Sequence, residues 1–109
     1  MYQIVVRVRA VLRHGIIEFT KGFLLPVPPF PGLCIADGDD RHHLAEVEYR
    51  VAERRFDGLA DDDLEAACKF GDDEAALLAC YGAMGWTELR RGRLHGPFLP
   101  AARAAPRWN

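Results

Sequence analysis

Apolar and polar residues alternate through the first quarter of the chain. Over residues 2–13, Ile4, Val6, Val8, Ala10 and Leu12 recur at every second position, the period of a strand with one face on a core. His14-Gly15 interrupts the pattern, and residues 16–23 resume it. A two-residue loop at His14-Gly15 would pair Leu12 with Ile17 and Ala10 with Phe19, which keeps the apolar faces together. The opposite face carries Arg7, Arg9, Arg13, Glu18 and Thr20, and also Val5, Val11 and Ile16. A solvated face needs none of those three. They are therefore expected to be half covered by a helix, by the proline-rich segment or by a second copy of the chain, and Val5, Val11 and Ile16 are the candidate self-association residues.

Residues 24–32 contain Pro26, Pro28, Pro29 and Pro31, so they can be neither helix nor central strand. An extended crossover lying along the domain is expected there, in preference to an exposed docking peptide. A second hairpin follows: a short strand at 33–36, a turn at Asp37-Gly38-Asp39-Asp40, and one long strand over 41–56. Its buried face is Ala45, Val47, Tyr49 and Val51, opposite Glu46, Glu48 and Arg50. Two short helices come next. The first is capped by Asp61 and stopped by Gly71. The second is capped by Asp72 or Asp73, spans 75–84 and ends at Gly85, with Trp86 placed for the hydrophobic contact of a Schellman motif. Its apolar composition predicts burial nearly all round. One or two short strands around Arg91-Gly92 complete a domain spanning 1–95, and 96–109 reads as an irregular tail with Pro97, Pro100 and Pro106. Strands followed by helices indicate an α+β fold. The expected form is a mostly antiparallel curled sheet or small half-barrel, built from two hairpins and a short C-terminal strand, with two short helices packed on one side.

At 109 residues the length suits one domain, and 50% hydrophobic with 28% charged residues is an ordinary globular balance. The first apolar run is broken by Arg7 and Arg9, so it is no signal peptide, and no run reaches the length of a membrane span. Three scattered cysteines, Cys34, Cys68 and Cys80, make no disulfide framework. Cys68 and Cys80 are expected to pack in helices as small hydrophobes, which points to a reducing, cytoplasmic setting.

Charge is distributed unevenly. Residues 1–23 carry +3, 24–55 carry −2, 56–80 carry −7 and 81–109 carry +4. Helix capping explains part of the acidic block but not Asp57 or Glu65. Capping is the preferred reading of the block, and a partner-binding surface made of Asp57, Asp61, Asp63, Glu65 and Glu74 is the alternative to it. Nucleic acid is an unfavoured partner, because the chain is slightly acidic overall and lacks interleaved exposed aromatics.

One weaker constellation holds catalytic candidates. If the turn at 37–40 closes the second hairpin, Cys34 lies opposite His43, near Asp37 and His42, and a thiol beside an imidazole can be activated as a nucleophile. A packed thiol beside a surface histidine is the preferred reading. No motif for a metal, nucleotide or other cofactor is present, so none is expected. The leading expectation is a non-catalytic interaction module that binds a protein, or itself, through its sheet or acidic helices. A small enzyme or ligand-binding domain is the alternative, with a pocket between sheet, proline-rich segment and Trp86.

Overall fold

The computed structural model describes residues 1–93. Their fold is α+β: six strands form one mixed sheet, in the order β3-β4-β5-β1-β2-β6, with two helices. The sheet stays open, with β3 and β6 as its edges. The tail expected at 96–109 lies outside the described residues.

β1 (Tyr2–Val11) and β2 (Gly15–Leu25) form the first hairpin, and Ile4, Val6, Val8, Ala10 and Leu12 are all buried, as their alternation requires. The register differs from the expected one by two residues: Ala10 faces Ile17 and Val8 faces Phe19. The chain turns through Leu12, Arg13 and His14, and the Leu12 N–H donates to the Gly15 carbonyl at 2.8 Å. A slip of two leaves every side chain on its own face, so alternation alone does not separate the two registers.

β3 (Cys34–Asp37) and β4 (Asp40–Arg50) pair in the register expected from the sequence, with Asp37 facing Asp40 and Cys34 facing His43. The long strand expected over 41–56 is instead two strands. The chain turns at 51–54, and β5 (Arg55–Ala60) returns beside β1, parallel to it. A bulge within β4 shifts the pairing between Leu44, opposite Ala60, and Glu46, opposite Leu59, leaving Ala45 as the extra residue. It reverses the parity of the strand, so His42 and Leu44 share a face with Val47 and Tyr49. The expected buried set is corrected accordingly. Leu44 is 1% exposed, Ala45 is exposed, Val47 is half-buried, Tyr49 is half-exposed, and Val51 is an exposed turn residue.

The helices add Ala66, Leu77 and Tyr81 to the apolar cluster of the sheet. Asp61 does not cap the first helix. Its N–H instead extends the sheet by donating to the His43 carbonyl, and α1 (Ala66–Phe70) begins after Glu65 without a side-chain cap. α2 (Glu74–Ala83) is built as expected at both ends. Asp73 Oδ1 accepts from the Ala76 N–H at 3.1 Å. At the other end the Trp86 N–H donates to the Tyr81 carbonyl and the Gly85 N–H to the Gly82 carbonyl, with Gly85 at φ +91°. Burial is confined to one face of α2: Leu77 and Tyr81 are buried, whereas Ala75, Ala79, Cys80 and Met84 are exposed. Tyr81 stacks on Phe19 of β2 with ring centroids 4.2 Å apart.

The proline-rich link is irregular, and it is less covered than expected: Pro29 is buried, but Leu24, Val27 and Phe30 are exposed. A single strand, β6 (Thr87–Arg93), pairs with β2. No helix among the described residues is long and apolar enough to cross a membrane.

Candidate functional site

An acidic cleft of about 530 Å³ opens where the β3–β4 turn, the segment after β5 and the C-terminal end of α2 converge. Its position follows from the strand order. β5 returns parallel to β1, and the chain beyond it stays tied to β1, with the Asp63 N–H on the Arg9 carbonyl and the Val11 N–H on the Asp63 carbonyl. Asp61, Asp62 and Asp63 are thereby held on one wall. The tight turn through Gly38, at φ +64°, brings Asp39 and Asp40 to the other.

Val8, Tyr81 and Trp86 supply the buried lining. The Tyr81 hydroxyl donates to Asp63 Oδ2 at 2.6 Å, and Asp63 Oδ1 accepts from the Glu65 N–H, so Asp63 is fully engaged. Burial, together with that hydrogen bond to a carboxylate, holds the Tyr81 phenol well above its usual range, and it acts here as a neutral donor. His42 packs edge-on against Trp86 with ring centroids 5.1 Å apart. Its Nε2 is buried and finds no hydrogen-bond partner among the described residues. Burial lowers the pKa of this imidazole despite the opposing fields of Asp40, Asp37 and Asp63, and Lys21 lowers it further.

Lys21 joins the β3–β4 turn to the end of α2 beside the cleft. Its ammonium donates to Asp37 Oδ2 and to the Met84 carbonyl, both at 2.6 Å, and lies near the faces of Phe23 and Trp86. That carbonyl belongs to the C-terminal end of α2, where a cation is favoured.

Six carboxylates line the cleft: Asp39, Asp40, Asp61, Asp62, Asp63 and Glu65. Two cations, Arg41 and Lys69, face them. Asp62 pairs with Arg9 at 2.9 Å and Glu65 with Lys69 at 3.8 Å. Among the described residues no cation lies within ion-pair reach of Asp39, Asp40 or Asp61. Asp39 and Asp40 were not anticipated as site residues, and His42 was expected only beside the Cys34–His43 pair. For His42 the obstacle was the bulge at Ala45, since uninterrupted alternation puts His43 on the core face instead.

The residues expected to form one acidic surface are divided by the fold. Asp61, Asp63 and Glu65 meet in the cleft. Asp57 instead pairs with Arg55 at 3.0 Å, and Glu74 pairs with Arg91. All three cysteines are exposed, which overturns the expectation of packed thiols. Cys34 and His43 do face each other across β3 and β4, but Cys34 is not part of the cleft lining. No hydrogen bond joins the two side chains among the described residues. Of the candidate self-association residues, Val5 and Val11 are half-buried and Ile16 is 6% exposed within the single chain. No three His, Cys, Asp or Glu side chains among the described residues are grouped to hold a metal ion.

Compared with known proteins, the chain matches no family model, no curated protein and no solved structure.

Proposed function

We propose that this chain is a non-catalytic interaction module whose acidic cleft receives a basic segment of a partner protein. The observation that carries this reading is the set of carboxylates on Asp39, Asp40 and Asp61, which line both walls with no ion-pair partner among the described residues. Concentrated negative charge in a cleft attracts a cationic partner and hastens its encounter.

The catalytic alternative, through Cys34 and His43, has less support. Both groups are exposed, and among the described residues no third side chain orients the imidazole as an activated thiol requires.

The test is titration with an arginine nonapeptide at rising ionic strength, following Trp fluorescence and heat. Binding that weakens steeply with salt is expected, together with a loss of about tenfold or more when Asp39, Asp40 and Asp61 are replaced by Asn. Peptide binding unchanged in the triple variant would remove the cleft from consideration.

A further inference from the structure

At the end of the sheet away from the cleft, Tyr2, Tyr49 and Phe56 form an exposed aromatic hollow of about 490 Å³, with Gln3 and Arg54 on its rim. Three observations set it apart from ordinary surface. Phe56 stands edge-on to both tyrosines, at 4.9 Å from Tyr49 and 6.3 Å from Tyr2, so three rings hold one another in place around an open space. Tyr49 and Tyr2 remain 51% and 41% exposed, so much of their ring surface faces outward.

Arg54, finally, is the only described non-glycine residue at positive φ, at 53°. It closes the β4–β5 turn, where its N–H reaches the Val51 carbonyl at 3.3 Å. Glycine meets that conformation without strain, and Asn tolerates it far better than Arg does. The turn therefore does not need this side chain, and the hollow is what it faces. Its neighbours are committed elsewhere: Arg50 lies beside Glu48, Glu53 and Asp57, and Arg55 binds Asp57. No carboxylate lies within ion-pair reach of Arg54 among the described residues.

We infer that this hollow binds a planar aromatic anion, whose ring packs among Tyr2, Tyr49 and Phe56 and whose negative group meets the Arg54 guanidinium. Aromatic walls with a few polar groups at the rim are the usual make-up of a small-molecule site. A guanidinium takes a carboxylate in two parallel hydrogen bonds, so charge and ring together select the ligand class. The acidic cleft favours cations, so the two ends of the molecule select opposite charges.

Naphthoate and its neutral isostere naphthamide, titrated into the full chain and followed by nitrogen–proton correlation spectra, test the inference. Naphthoate is expected to shift the amides of Tyr2, Arg54 and Phe56 saturably, with naphthamide at least about tenfold weaker. Arg54→Gly should lose naphthoate binding while melting no lower than the parent, because glycine relieves the turn. Arg54→Gln, which keeps the length of the side chain, should lose it equally. Equal binding of the two probes, or naphthoate binding retained in either variant, overturns the inference. So do shifts of these amides that follow protein concentration without any probe, because a second copy would then fill the hollow.

Discussion

Among the described residues Glu18 is the one charged side chain that is almost wholly buried, at 1% exposure. It lies on the sheet face away from the helices, with Arg9 facing it across β1 and Arg90 across β6. Arg90 Nε sits 3.0 Å from Glu18 Oε1, close enough for an ion pair, but that oxygen accepts no well-aligned hydrogen bond from the described residues. Arg9 is meanwhile held by Asp62 at 2.9 Å. Removing one partner of a buried pair leaves the other uncompensated, so Arg90→Ala should cost about 2 kcal/mol in a urea titration. Adding Glu18→Gln should restore most of it; if the double variant is no more stable than the single, the loss is one of arginine packing instead. His42 gives a second prediction at this scale. Its pKa is lowered in the folded chain, so below about pH 6.5 the unfolded chain takes up a proton that the folded chain resists. Stability is therefore expected to fall as the pH drops through that range, and to fall less in His42→Phe. Parallel melting curves for the two proteins from neutral to mildly acidic pH would count against it.

Among the elements, α2 was the most legible in the sequence, because both of its ends are fixed by local chemistry. Asp73 caps one end and Gly85 allows the chain reversal at the other. Asp73→Ala should cost about 1 kcal/mol, read from thermal melting. Gly85→Ala should cost about as much or more, since an added methyl meets both a positive φ and Lys21 Cε at 3.3 Å. The strands were legible as faces and less so as pairs. Alternation identified the buried side of β1, yet the hairpin register came out two residues away, because a slip of two conserves faces. The division of β4 from β5 was hidden for a different reason. Their turn, Val51-Ala52-Glu53-Arg54, contains no Gly, Pro, Asn or Asp, and Arg54 takes the conformation that would normally announce a turn through glycine. Missing that turn concealed the parallel return of β5, and with it the bulge that directs His42 inward.

At the scale of the whole molecule, the cleft depends on contacts far apart in sequence. The acidic block was visible as charge, but its meeting with Asp39 and Asp40 was not. Only the return of β5 beside β1 places residues 61–63 across from the β3–β4 turn. The same arrangement has an energetic consequence that needs no knowledge of the partner. Asp39, Asp40 and Asp61 share one cleft with three further carboxylates. Their mutual repulsion should destabilise the folded chain, whereas carboxylates serving mainly to cap helices should stabilise it. The helix caps are in fact elsewhere, at Asp73 for α2 and at no side chain for α1. Replacing Asp39, Asp40 and Asp61 together by Asn should therefore raise the melting temperature by about 3 °C at low ionic strength, equivalent to roughly 0.5 kcal/mol. The gain should shrink towards zero by about 0.5 M salt, where the screening length falls to roughly 4 Å. A gain that persists at high salt would trace to packing or hydrogen bonding rather than charge. A lower melting temperature would mean that these carboxylates hold the cleft together, and its charge would then have a structural cause.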